Sequence, residues 1–255
     1  MKKKSSSISI ILFILTILAN YVSAKGLIPN SLSQQVVSGK YPTPITPAGF
    51  TFSIWGVIYL FLFVSLIYFL LKSRNSIDYY DSVEKASPLL WIALISNIIW
   101  NFVFGMQYII LSVVVIFVYT ISLILFTRNI SKIENKINEF VKLAFGIHCG
   151  WMIVASLVNI YACFYSLDKN IFSNPIIFVI VALALVFFMT ILVMKFTNNE
   201  YIPLAVIWAF WGIKNNAYLS SSNYSLINIL LLLISILLAI YMIKVLLDYK
   251  KSRKN

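Results

Sequence analysis

Long apolar runs separated by polar segments dominate the pattern along this chain. Most of them approach the twenty residues that a helix needs to cross a bilayer, and none alternates like a membrane β-strand. The runs cover residues 8–22, 50–71, 88–105, 108–127, 141–165, 175–196, 201–218 and 225–247. Because only helices and closed barrels satisfy their backbone groups in lipid, the pattern predicts an all-α, polytopic transmembrane helix bundle of about eight spans.

The composition indicates the same class. Of the 255 residues, 61% are hydrophobic and only 11% are charged, whereas a soluble domain is nearer to half apolar and a quarter charged. The net charge of +12 lies almost wholly between or beyond the runs, where it sets membrane orientation. We therefore expect the lipid bilayer as a partner, and no nucleic acid.

Proline and glycine mark the ends of several runs. A long polar loop at 25–49 contains four prolines. Gly105 and the two residues after it form the whole connection between the third and fourth runs, which predicts an antiparallel hairpin. Pro88 and Pro175 are expected in the first turns of their helices, where a missing N–H costs little.

The Lys and Arg residues predict the orientation of the bundle. With eight spans, sixteen of the twenty fall on one side, and the other four are Lys25, Lys40, Lys169 and Lys214. Cytoplasmic loops are enriched in basic residues, so we expect both termini in the cytoplasm. The family resemblance described below implies, in addition, a bacterial cytoplasmic membrane. The short seventh run is counted as a span, because otherwise the basic C-terminal tail would face outward.

The N-terminal segment has two interpretations. Its lysines, short apolar core and small residues near Ala24 match a cleavable signal peptide. The same residues match a first transmembrane helix that is retained. We favour the retained helix because the family resemblance described below includes one.

The residue types within the runs restrict the chemistry. All eight Asp and Glu residues lie outside the runs, which disfavours cation-coupled transporters and intramembrane hydrolases. Cys149 and Cys163 are fourteen residues apart on one predicted helix, about 21 Å and too far for a disulfide. With one histidine in the chain, no metal site is expected, and we expect no catalytic residues.

Aromatic and amide side chains form stripes on several predicted helices, since residues at i, i+3, i+4 and i+7 share one helix face. The stripes are Trp55 and Tyr59; Asn97, Trp100, Asn101 and Phe104; His148, Trp151, Ala155 and Asn159; and Trp208, Trp211 and Asn215. A mostly apolar pocket with a few polar groups is expected where such stripes meet. We predict that Trp55, Asn97 and Trp151 are neighbours of one cavity below the 25–49 loop.

Each stripe also has a purely structural interpretation. Asn101 and Asn159 can bond between helices for about 0.6–2 kcal/mol. Trp91 and Trp208 are most simply aromatic residues of the membrane interface. A single buried histidine such as His148 is more often an interhelical donor than a ligand to iron.

Three blocks of residues resemble the tryptophan-rich sensory protein or translocator protein family (TspO/MBR). The blocks are Pro47-Ala48-Gly49 with Trp55 and Tyr59, Asn97-x-x-Trp100, and Trp151-x-x-x-Ala155-x-x-x-Asn159. They follow the family's order and cover about residues 8–165. Ala48 departs from the family pattern, which is Pro-Pro-Gly, and the spacing from Gly49 to Trp55 is one residue shorter.

The resemblance implies a five-helix membrane core, residues 1–166, with three further helices in residues 167–255. It implies that the core binds porphyrins, haem-related tetrapyrroles or sterol-like lipids under its first loop, with no cofactor required. The ligand-binding residues expected on this basis are Pro47, Gly49, Trp55, Tyr59, Asn97, Trp100, Asn101, His148, Trp151, Ala155 and Asn159. A homodimer is left open.

We therefore expect a membrane protein that binds a hydrophobic or planar small molecule between its second, third and fifth helices, as sensor, carrier or regulator. A permease is the first alternative, and a discontinuous seventh helix would support it. A membrane enzyme acting on a tetrapyrrole or lipid is the least favoured alternative, because intramembrane carboxylates are missing.

Overall fold

A computed structural model describes residues 4–72, 77–132, 139–216 and 225–252. Those residues form nine α-helices, and one turn of 3₁₀ helix, Gly49–Ser53, leads into the third. The helices are α1 (Lys4–Ala24), α2 (Gln34–Lys40), α3 (Ile54–Lys72), α4 (Ile77–Gly105), α5 (Ile109–Ser131), α6 (Glu139–Leu167), α7 (Pro175–Thr197), α8 (Ile202–Lys214) and α9 (Ser225–Ser252). The predicted all-α polytopic bundle is confirmed.

Seven of the helices are long and apolar enough to cross a membrane. The exception among the predicted spans is the run at 201–218, where the helix α8 has 13 residues. At 1.5 Å per residue it is about 20 Å long, shorter than the roughly 30 Å of a bilayer's hydrocarbon core. The hydrophobic pattern overestimated the length of this helix, because the helix ends at Lys214 and does not continue into the polar residues after it.

The two prolines expected at helix starts behave differently. Pro175 is the first residue of α7, as predicted. Pro88 lies inside α4, which begins at Ile77, so its placement in a first turn was wrong. The hydrophobic pattern marks the apolar part of α4, whereas the helix itself extends through the polar residues before it.

The first loop contains a helix that the sequence pattern did not indicate. The seven residues of α2 follow Ser33, whose hydroxyl accepts a hydrogen bond from the Val36 N–H at 3.4 Å. Just before it, the Leu32 N–H donates to the carbonyl of Gly105, at 3.0 Å. This bond holds α2 over the end of the α4–α5 hairpin.

Helix α6 is the central element of the bundle and packs against α3, α5, α7 and α8. Two glycines of α6 let α8 and the residue before it lie close. A Cβ atom at Gly150 would stand 3.2 Å from the Cβ of Ala205 in α8. A Cβ atom at Gly146 would stand 2.8 Å from the Cβ of Tyr201, just before α8. Small residues spaced four apart are a usual means of close helix packing in membranes. The spacing Gly146-x-x-x-Gly150 therefore fixes where α8 runs.

Polar contacts hold both ends of α8. At its beginning, Glu200 forms a buried ion pair with Lys142 of α6, with Nζ and Oε2 2.9 Å apart. At its end, the carbonyl of Gly212 accepts a hydrogen bond from the Ala48 N–H of the first loop, at 3.0 Å. The first loop thus reaches into the bundle to meet a helix too short to cross by itself.

Candidate functional site

The aromatic residues of α3 and α6 meet inside the bundle. Trp55 lies edge-on to Trp151 and to His148, with ring centroids 6.2 and 6.3 Å apart. It also stacks on Tyr59, one turn further along α3, at 5.4 Å. Phe52, in the 3₁₀ turn, packs against Trp151 at 6.1 Å. Four of the predicted site residues therefore belong to one aromatic cluster.

The amides of α4 form a hydrogen-bonded chain beside this cluster. Asn101 donates to the Asn97 side-chain oxygen at 2.8 Å. Asn97 donates to the hydroxyls of Tyr119, at 2.8 Å, and Tyr59, at 3.4 Å. The Tyr119 hydroxyl lies 2.5 Å from His148 Nε2. The chain joins α3, α4, α5 and α6.

Two more amides extend the chain, and sequence reasoning missed both. Gln34 of α2 donates to the side-chain oxygens of Asn101 and Asn20, the latter at 3.2 Å. Asn20 of α1 donates to the Asn97 oxygen at 3.0 Å. Neither residue belongs to a stripe at helical spacing. The one signal for Asn20 is its place near the end of an apolar run, where a polar residue needs a partner.

A second set of hydrogen bonds holds two more of the predicted site residues, Trp100 and Asn159. The Trp100 N–H donates to the Asn159 side-chain oxygen at 2.8 Å, and Asn159 donates to the Ser112 hydroxyl at 2.9 Å. Trp100 also stacks on Phe104, at 4.8 Å. Asn159 therefore bonds between helices, as its structural interpretation proposed, and also lies at the cavity described next.

Residues of the first loop, the 3₁₀ turn, α3, α4 and α6 surround a cavity of about 40 Å³ beneath α2. Its lining is almost entirely apolar. The lining residues are Gln34, Ser38, Pro47, Phe52, Trp55, Trp100, Phe104, Trp151, Val154, Ala155, Val158 and Asn159. A volume of this size holds one or two water molecules.

Nine of the eleven predicted site residues divide into two groups around this cavity, and the other two, Gly49 and Tyr59, line the adjoining cavities described next. Pro47, Trp55, Trp100, Trp151, Ala155 and Asn159 line it. Asn97, Asn101 and His148 lie in the hydrogen-bonded chain and are absent from its wall. The expectation that Asn97 would share the cavity with both tryptophans was therefore wrong, because its amide is turned toward the tyrosine hydroxyls.

Two larger and more open cavities adjoin the small one. A cavity of about 370 Å³ lies between α1, α2 and α3, includes Tyr59, and shares Gln34, Phe52 and Trp55 with it. Another, of about 550 Å³, lies under the loop, includes Gly49, and shares Ser38, Pro47 and Phe52. Phe52 lines all three, and α2 contributes residues to each.

Gly49 lies against the first turn of α2. A Cβ atom at this position would lie 3.0 Å from the side-chain carbon Cδ of Gln35, with the amide nitrogen nearer still. Because Gln35 is exposed and these atoms are the far end of its flexible side chain, the contact places the Pro47-Ala48-Gly49 block beside α2 without requiring a glycine there.

Three buried nitrogen atoms of the cluster have no hydrogen-bond partner in the part of the chain that the structure describes: Trp55 Nε1, Trp151 Nε1 and His148 Nδ1. Buried polar atoms are normally paired, so a water or ligand oxygen beside them would gain a bond. No group of three or more His, Cys, Asp or Glu residues able to hold a metal occurs in the described ranges.

The fold and the cluster together define a polytopic α-helical membrane protein with a tryptophan-lined cavity under its first loop. The family model described as TSPO-like protein matches residues 6–244, and the chain belongs to that family. The match confirms the resemblance and extends it past residue 165 into the C-terminal helices. Neither the curated proteins nor the solved structures give a match.

Proposed function

We propose that this protein binds a hydrophobic, planar small molecule, tetrapyrrole- or sterol-like, between α3, α4 and α6 beneath α2, as a sensor, carrier or regulator. The observation that carries the proposal is the cavity lined by Trp55, Trp100 and Trp151. Small-molecule sites are mostly apolar and aromatic, with a few placed polar groups. Here the polar groups are the amides of Gln34 and Asn159 at the edge of the indoles.

The cavity is so small that its walls must move before a ligand of this kind can bind. Sites for ligands of drug size have about 300–1,000 Å³, far more than the 40 Å³ enclosed here. Displacing Gln34 and Phe52, which form shared walls, would join the cavity to the neighbouring spaces of about 370 and 550 Å³. Slow association is expected, because binding that needs a conformational change has a lower rate constant.

Substitution of Trp151 by alanine tests the proposal. The change removes an indole at the cavity, where an aromatic contact contributes about 0.5–1.5 kcal/mol. Trp151→Ala should therefore weaken binding of a porphyrin or sterol by roughly tenfold, since 1.4 kcal/mol is a factor of ten. Binding to the purified protein in detergent can be followed by quenching of tryptophan fluorescence.

Trp91→Ala is the matched control. Trp91 donates from its indole to the Ser9 hydroxyl at 2.9 Å, between α4 and α1 and away from the cavity, so affinity should hardly change. Equal losses at the two positions would indicate general destabilisation, and unchanged affinity in Trp151→Ala would contradict the proposed site.

A further inference from the structure

Residues 43–53 cover the tryptophan-lined cavity, and we call them the closing segment. Pro47 and Phe52 reach the cavity wall. Within the segment, the Thr46 N–H donates to the Thr43 carbonyl at 3.1 Å and the Thr51 N–H to the Ala48 carbonyl at 3.0 Å. The Thr43 N–H donates to the Thr46 hydroxyl at 2.9 Å, and the Thr51 hydroxyl donates to the Ala48 carbonyl. These bonds join residues three apart and shape the segment locally, so its position over the cavity depends on its neighbours.

Helix α8 and the turn after it form three hydrogen bonds with the closing segment. The Ala48 N–H donates to the Gly212 carbonyl at 3.0 Å. The Trp208 indole N–H donates to the Thr51 carbonyl at 3.0 Å. The Asn216 side chain, two residues past the end of α8, donates to the Thr46 carbonyl. Irregular backbone in a membrane protein needs partners in the protein or in a water-filled cavity, and these three bonds are partners of the first kind.

Packing reinforces these bonds. A Cβ atom at Gly212 would stand 3.1 Å from the Cβ of Thr51, with the rest of that side chain closer, so the glycine admits a fully buried threonine. The Phe50 ring lies edge-on to Trp211 and Trp208, at 5.0 and 5.8 Å. The seated position of the segment is therefore set by shape as well as by hydrogen bonds.

Ala48 fits the same arrangement. A proline has no backbone N–H to donate, and the N–H of Ala48 is the group bonded to Gly212. The departure from Pro-Pro-Gly at this position coincides with a hydrogen bond to α8.

We propose that α8, with the turn that follows it, is a positioning element for the cavity, in which Trp208, Gly212 and Asn216 hold the closing segment in register above the tryptophans. The helix contributes none of the described residues that line the 40 Å³ cavity, so its effect on a ligand passes through Pro47 and Phe52. The inference rests on the proposed ligand-binding function and names what regulates access to that site.

The test compares two indole N–H groups. Trp208→Phe removes the bond to Thr51 and keeps an aromatic ring, and Trp91→Phe removes the bond to Ser9 in the same way. In lipid nanodiscs, hydrogen exchange at residues 48–53 should become about fivefold faster in Trp208→Phe, the effect of one net hydrogen bond. Protoporphyrin IX, followed by its own absorbance, should bind about fivefold more weakly to the same variant. Trp91→Phe should change neither quantity.

A second pair of variants separates positioning from folding. Gly212→Ala should speed exchange in the segment and weaken porphyrin binding, because its methyl group pushes Thr51 away. Adding Thr51→Ala removes the two nearest atoms that this methyl group meets, Cγ2 and Oγ1, and should restore both quantities in part.

The outcomes discriminate between the two proposals. Equal exchange and affinity in Trp208→Phe and Trp91→Phe would overturn the role of α8, as would a Gly212→Ala protein with unchanged exchange in the segment. If the wild-type protein binds neither protoporphyrin IX nor cholesterol while the exchange differences persist, the ligand proposal fails and the positioning role of α8 stands.

Discussion

Side-chain amides carry the polar contacts between the helices around the cavity. Asn97 serves both tyrosine hydroxyls and accepts bonds from Asn20 and Asn101. A hydrogen bond between membrane helices contributes about 0.6 kcal/mol on average. Replacing a residue that takes part in several bonds costs more stability than that average, because each buried partner left unpaired costs about 1–3 kcal/mol.

We expect Asn97→Leu to lower the free energy of unfolding by about 2–4 kcal/mol, from more than one stranded partner. Reversible unfolding in mixed micelles measures the change. Ser87→Ala is a suitable control, because that hydroxyl bonds to the Val83 carbonyl within α4, at 2.7 Å, and should cost well under half as much. Similar losses for the two variants would show that Asn97 acts only within its own helix.

Residue patterns identified side chains that share a helix face around the cavity. Trp151 and Asn159 both line the 40 Å³ cavity, whereas Trp55 and Tyr59 share the neighbouring cavity of about 370 Å³. Gln34 and Asn20 could not be found in the same way, because neither has a second residue of the hydrogen-bonded chain on its own helix. Their roles come from the packing of α1 and α2 against α4, which no local period encodes.

Helix α8 depends on contacts at its two ends more than on its own length. Its first residues follow Glu200, which pairs with Lys142 where both side chains are 4% exposed. Lys142 also accepts, through its carbonyl, a hydrogen bond from the Asn199 side chain at 2.8 Å. This turn between α7 and α8 is thereby fixed to the beginning of α6.

Breaking the ion pair from one side should be more damaging than removing both charges. Glu200→Gln removes the carboxylate that pairs with the buried Lys142 ammonium, and breaking a buried pair from one side typically costs about 3–5 kcal/mol of stability. The double variant Lys142→Met/Glu200→Leu should regain most of that loss. Thermal or denaturant unfolding in detergent compares them, and a single variant within about 0.5 kcal/mol of wild type would contradict a tightly buried pair.

At the element scale, hydropathy located the long helices and failed at short or mixed ones. The run at 141–165 corresponds closely to α6, Glu139–Leu167. Helix α2 has too few residues for a recognisable period, and the polar beginning of α4 lies outside any apolar run. The length of α8 was overestimated because the apolar run continues past Lys214, whereas the helix ends there, before Asn215.

The whole molecule joins its early and late helices through α6. Helices α3 and α5 pack on it from the first part of the chain, and α7 and α8 from the second. Both termini lie on one side only if α8 is counted as an eighth crossing, because the seven long helices alone would place them on opposite sides of the membrane. The orientation therefore remains a prediction, as do the division at residue 166, the retention of α1 and the homodimer.

The orientation can be measured with a single cysteine. In a Cys163→Ala background, with Cys149 buried, Ser252→Cys should stay unlabelled by a membrane-impermeant maleimide in intact cells and react after lysis. Lys25→Cys, on the opposite predicted side, should react in intact cells. Labelling of position 252 before lysis would reject the sixteen-to-four assignment of basic residues.

The shortness of α8 also has a consequence for biogenesis. A 13-residue segment has less apolar length than autonomous membrane insertion ordinarily requires. Its partner, the loop at Thr51, is synthesised 157 residues before Trp208. The nascent chain must therefore hold its first loop incompletely paired until α8 has been synthesised. A late helix thus completes a structure begun by an early loop, and a chain terminated before α8 would leave backbone groups of that loop without these partners.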